Sequence, residues 1–195
     1  MKTGTLTALI AAGLLSGLVG CASKDNARAS RAANPAPCPA ALVLQDASRL
    51  VAFAEPDGYG PVAKTPETIA WTAEVEAVRL QCRYYGDVPI KAEVEIDLAF
   101  GRGPAADGYE REYRYFVAVT RTNQEVIAKE TFAHMAEFKK KSPVSRITVD
   151  LDNIVIPRAG AQTSGRNFEV VVGLALTRDE LLFNRSGKSL KFPEL

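Results

Sequence analysis

The sequence predicts an all-β fold, a single antiparallel β-sandwich closed by a short C-terminal helix or turn. Two observations carry this: apolar residues recur with a period of two along most of the chain, and Gly-, Pro- and Asp-rich turns separate the alternating runs. Several short strands spaced in this way point to two packed sheets rather than to helices laid on a sheet.

Taken in chain order, "ETIAWTAEVEAVRLQC" alternates through Ile69, Trp71, Ala73 and Val75, then changes phase to Val78, Leu80 and Cys82. One extra residue in a strand produces that phase change, so a β-bulge is expected, with Trp71 and Cys82 both facing the core. "IKAEVEIDLAF" is the clearest strand. Ile90, Ala92, Val94, Ile96, Leu98 and Phe100 share one face, and Lys91, Glu93, Glu95 and Asp97 share the other. "YEREYRYFVAVT" begins half exposed and becomes apolar on both faces from Tyr115 to Val119. "EVIAKETFAHMAEF" contains helix formers, yet Phe132, His134, Ala136 and Phe138 alternate, and the segment reads as a strand. "SRITVDLDNIVI" and "NFEVVVGLALT" supply two more. In "LTRDELLFNR", Thr177 followed by Glu180 has capping-box spacing and predicts the closing helix or turn, with "SGKSLKFPEL" after it as a loose tail.

Residues 1–20 carry one positive charge, Lys2, ahead of an apolar run over residues 6–19 that is too short to span a bilayer comfortably. The run ends in Leu18-Val19-Gly20-Cys21, which resembles the lipobox of bacterial lipoproteins. The resemblance implies cleavage before Cys21, a diacylglycerol on its thiol and, in the mature protein, two or three acyl chains as a firm anchor, each buried CH2 contributing about 0.8 kcal/mol. It further implies residence in the cell envelope. Ala22 and Ser23 follow Cys21 without the Asp that retains many lipoproteins at the inner membrane, so the outer membrane, facing the periplasm, is the favoured location.

Three cysteines in an exported chain leave Cys38 and Cys82 once Cys21 carries lipid. An oxidising compartment favours joining them, and a loop of that length contributes about 4 kcal/mol in the chain-entropy picture. The other arrangement open to them is two separate buried thiols. Domain organisation follows: a signal over residues 1–20, a lipidated N-terminus and Ala-, Ser- and Pro-rich linker over 21–37, the sandwich over 38–185 and the tail over 186–195.

Charge narrows the partners. Lys and Arg total 24 against 23 for Asp and Glu, and no basic stripe interleaves with aromatics, so nucleic acid is excluded as a partner. The single histidine, His134, shares a face with Phe132 and Phe138 and reads as a core or edge residue rather than a general base. Ser142, Ser145 and Ser164 lie in turn contexts without a nucleophile elbow. Asp150, Asp152 and Asn153 offer oxygen ligands, but a calcium loop's glycine and distal glutamate are missing, and the row Glu93, Glu95, Asp97 reads as the wet face of its strand. Tyr109, Tyr113 and Tyr115 form a same-parity stripe; such stripes usually pack within sheets, but Tyr109 and Tyr113 are the candidates for stacking on sugar rings.

The elements "CP", "RGPAA", "YRYFVAV" and "VVGLALTRDELLFNR" together resemble a group of uncharacterised Gram-negative envelope lipoproteins with a Cys-Pro start and a closing "LT-x-x-x-L-x-x-NR". The resemblance covers residues 38–185 and implies location and fold, but no site. The sandwich is also similar to immunoglobulin and fibronectin type III modules, although Cys38 precedes the first strand that the pattern reveals. The expectation is a membrane-anchored lipoprotein that is not an enzyme and needs no cofactor or metal. It would act as a protein-binding or assembly module, or alternatively as a binder of cell-wall glycan such as peptidoglycan.

Overall fold

The computed structural model describes residues 37–54, 63–123 and 125–191. In chain order the strands are β1 (Ala40–Val43), β2 (Arg49–Phe53), β3 (Ile69–Arg83), β4 (Ile90–Arg102), β5 (Glu110–Arg121), β6 (Val126–Glu137), β7 (Val144–Ile156) and β8 (Phe168–Leu174), followed by helix α1 (Arg178–Arg185). They form two four-stranded sheets ordered β1-β8-β5-β6 and β2-β3-β4-β7, with one apolar core between them. The all-β sandwich is as the alternation predicts, and β6 is a strand despite its helix formers.

Connectivity holds two features that the sequence does not announce. β1 runs parallel to β8, whereas every other pair is antiparallel. In immunoglobulin constant domains strands A, B, E and D form one sheet and C, F and G the other. Here β2, β3 and β4 lie side by side as consecutive neighbours, so the architecture is shared and the strand order is not. After β4 the chain crosses to β5 and β6, returns to place β7 against β4, and crosses again to place β8 against β5. These two interlocked pairs, β4 with β7 and β5 with β8, tie the sheets together.

The core is built from the predicted inward residues. Ile90, Ile96, Leu98 and Ile156 are fully enclosed, and Trp71 and Phe100 nearly so. The predicted bulge falls between Val75 and Ala77. Outward residues of β3 and β4 pair across strands: Arg79 binds Glu95 and Asp97, Arg83 binds Glu93, and Thr148 of β7 donates to Asp97 at 2.8 Å. The acidic row is therefore a solvated, ion-paired sheet face. The hydrogen bonds from Arg79 and then Thr148 hold the Asp97 carboxyl below the ordinary carboxylate range.

Both ends of the domain are fastened. At the N-terminal end Cys38 and Cys82 form a disulfide with Cα atoms 5.6 Å apart, and Cys82 is half-buried against the core rather than fully within it. The Tyr84 hydroxyl donates to Pro37 O at 2.9 Å and accepts from Gly165 N at 3.1 Å. A Cβ at Gly165 would sit 2.3 Å from Pro37 O, so only glycine admits this strap. At the C-terminal end Thr177 and Glu180 form the predicted capping box, and Phe183 of α1 buries against Val51 and Ile69. Beyond α1 a one-turn 3-10 helix spans Lys188–Lys191 and buries Ser189.

Candidate functional site

The residues singled out from the sequence do not converge. The lipobox and Cys21 lie outside the described residues. Tyr109 and Tyr113 part company because β5 begins at Glu110. Tyr113 is 2 % exposed, its ring stacked on Phe100 at 4.5 Å and its hydroxyl donating to Gly101 O at 3.4 Å, so burial pushes its pKa far above the ordinary tyrosine value. It is a core residue and offers no face to a sugar. Tyr115 is likewise buried. Tyr109 is exposed, but the Arg102 guanidinium lies over its ring at 4.4 Å, covering one stacking face.

His134 is half-buried on the inner face of β6, opposite Tyr113 and stacked on Phe100 at 5.3 Å. Ser164 accepts a hydrogen bond from Arg166 N at the start of a one-turn 3-10 helix, and Ser142 closes a bridge with Lys139. Among the described residues no group of three or more His, Cys, Asp or Glu side chains could hold a metal ion, and no buried side-chain nitrogen or oxygen is left without a partner.

A different feature emerges where two sheet edges meet. β6 is the edge of one sheet and β7 the edge of the other; residues 138–143 join them at one end, and toward the opposite end a cleft of about 470 Å³ opens between them. Its apolar lining comes from Val117, Val119 and Phe132 on one sheet and from Leu151 and Ile154 on the other. Inward residues of β4 at the centre of the sandwich, such as Ile96 and Leu98, are wholly enclosed, whereas Ile147, Val149 and Leu151 of β7 are only half-buried. The sandwich is thus incompletely covered along this side.

The rim is acidic. β5 and β6 pair Val117 with Glu130, and paired residues in an antiparallel ladder share a face, so Glu130 is directed inward beside Phe132. Across the cleft stand Asp150 and Asp152. Among the described residues none of these three carboxylates makes an ion pair. At the mouth, the β7 ladder slips opposite Glu93, and Asn153 takes a left-handed conformation with φ 63°. Bulges of this kind re-aim side chains and interrupt pairing. Asp150, Asp152 and Asn153, which offer oxygen atoms without the glycine and distal glutamate of a calcium loop, form a bulged rim.

No helix among the described residues is long and apolar enough to cross a membrane. Comparison with protein-family models, with curated proteins and with solved structures gives no match to this chain.

Proposed function

We propose that this protein is a lipid-anchored lipoprotein of the bacterial cell envelope that acts without chemistry of its own, as a module that docks another protein on the open β6–β7 side of its sandwich. The observation that carries the reading is the combination on that side of an apolar cleft, a rim of carboxylates and a long strand edge that no other strand among the described residues covers. Concave apolar surfaces with a few polar groups at the border are where proteins bind partners.

The position of the strap supports the same reading. Cys38 is tied to Cys82 at the end of β3, so the tether from Cys21 enters at the end of the sandwich where β7 finishes and β6 begins, the end at which the cleft opens. An anchored molecule would present this side close to its membrane. The glycan-binding alternative loses support from the burial of Tyr113, which leaves Tyr109 alone and half covered.

The test is site-specific photo-cross-linking of the full chain in its native envelope, with the reactive residue placed at Glu130, at Val155 or, as a control on the outer sheet face, at Gln81. Adducts with protein from the first two positions and none from the third are expected. Adducts from Gln81 alone, or retention on purified peptidoglycan that disappears with Tyr109→Ser, would overturn the reading.

A further inference from the structure

The four sheet edges differ in how well they are protected. β1 has four residues and β2 five, too short to template another strand, and β7 is broken by its bulge. β6 is twelve residues long, holds no Pro or Gly, and keeps regular register with β5 from Ala128 to Glu137. Phe138 N donates to Tyr109 O, which sets the phase of that ladder. Alternate residues of an antiparallel strand bond to opposite sides, so Lys129, Thr131, Ala133 and Met135 turn their N–H and C=O groups to the free edge.

We infer that the occupant of this edge is a second copy of the chain, paired antiparallel through β6 about a two-fold axis at Ala133. The inference rests on the reading of the open side as a protein-docking surface and names its partner. A two-fold axis perpendicular to the sheet keeps the core-facing residues of both strands on one side, so residues of equal parity oppose each other. Centring on Thr131 or Phe132 sets Lys129 against Ala133 or Met135. Moving to His134 or Met135 sets it against Lys139 or Lys141, and centring on Glu130 opposes two glutamates.

Centring on Ala133 alone sets Lys129 against Glu137, twice by symmetry. It also sets Thr131 against Met135, which is 52 % exposed, and Phe132 against His134. Lys129, whose ammonium lies 4.2 Å from the Phe116 ring centroid, is on the outer face with Glu137, and neither makes an ion pair among the described residues. The small Ala133 side chain leaves the axis unobstructed. Charges on β6 that discourage indiscriminate edge pairing thus select one partner and one register.

The test uses the full chain in detergent, oxidised after substitution. Opposed residues in a hydrogen-bonded antiparallel pair lie about 5.5 Å apart at Cα, inside the disulfide range. Ala133→Cys should therefore yield a disulfide dimer. Thr131→Cys and Met135→Cys should each fail alone, their symmetry mates being roughly 14 Å apart, and should cross-link when mixed; the unsubstituted chain reports any dimer made through Cys21. Lys129→Glu should weaken dimerisation roughly tenfold, two attractive pairs becoming repulsive, and adding Glu137→Lys should restore it. Equal cross-linking at all three positions, or no rescue by the charge swap, overturns the inference. A monomer whose Glu130 photo-adduct contains a different protein overturns self-pairing while leaving the docking reading intact; absence of adducts from the open side removes that reading as well.

Discussion

The hydroxyl of Tyr84 donates to the carbonyl of Pro37 at 2.9 Å, one residue before the cysteine that is joined to Cys82. The hydrogen bond and the disulfide hold the start of the domain from two sides. With the two cysteines 44 positions apart in sequence, the chain-entropy estimate for the bridge is about 4 kcal/mol. Cys38→Ser with Cys82→Ser should lower unfolding free energy by up to that amount in urea titrations, and Tyr84→Phe by about 1 kcal/mol. A double serine variant as stable as the parent would show that the strap holds without its covalent link.

Tyr113 gives the fold an alkaline limit. Its folded pKa is raised by burial, with Arg111 opposing weakly, while the unfolded side chain ionises near the ordinary value of about 10. A raised folded value means that stability is intact below the unfolded pKa and is lost as pH rises from there through the folded one. Tyr113→Phe should cost no more than about 1 kcal/mol at neutral pH, since the bond to Gly101 is long, and should reduce the loss above the ordinary tyrosine pKa. Identical alkaline profiles for parent and variant would place the limit elsewhere, Tyr115 being the next candidate.

Strands β3 to β8 were legible because each is long enough for alternation to show, and the phase change after Val75 marked its bulge. β1 and β2 were not, because four or five residues carry no periodicity. The tyrosine stripe misled for a related reason: Tyr109 and Tyr113 share parity, but the strand ends between them, so one side chain meets solvent and the other Phe100. The cleft has no local signature. Phe132 and Leu151 look like core residues in sequence, and only the crossover from β6 to β7 places both at uncovered edges. One signal was available: Asn tolerates the left-handed region better than most residues, and Asn153 interrupts an otherwise alternating strand.

The Asn153 backbone should distinguish glycine from other replacements. At φ 63° an L-residue with a Cβ pays a steric penalty that Gly avoids and Asn partly offsets. Asn153→Gly is expected to keep or slightly raise the urea midpoint, and Asn153→Ala to lose about 1 kcal/mol. Equal stabilities would mean that the bulge relaxes, and the cleft rim with it.

The proposed anchor is testable apart from the fold. Cys21→Ser should abolish lipid labelling and processing by the lipoprotein route, and should leave the Cys38–Cys82 bridge in any exported molecule. Unchanged membrane retention and labelling would refute the lipobox assignment. Separation of inner and outer membranes then tests the placement suggested by Ala22 and Ser23.

The closing motif "LT-x-x-x-L-x-x-NR" acquires a physical account from α1. Thr177 caps the helix, and Asn184 Nδ2 donates to Asp46 O at 2.9 Å and Arg49 O at 2.7 Å. Arg185 pairs with the exposed Asp46 carboxylate at 2.7 Å. These contacts lock α1 over the short edge strand β2, whose ladder partner is β3. The expected ranking follows from burial. Asn184→Ala leaves two half-buried carbonyls without their donor and should cost about 1–3 kcal/mol, Thr177→Ala about 1 kcal/mol, and Arg185→Ala well under 1 kcal/mol because exposed pairs contribute little. Hydrogen exchange should show β2 amides losing protection in Asn184→Ala before those of β4. If instead Asn184→Ala left stability and exchange unchanged but abolished partner cross-linking, the motif would be a recognition surface, and the docking site would lie on α1 rather than between β6 and β7.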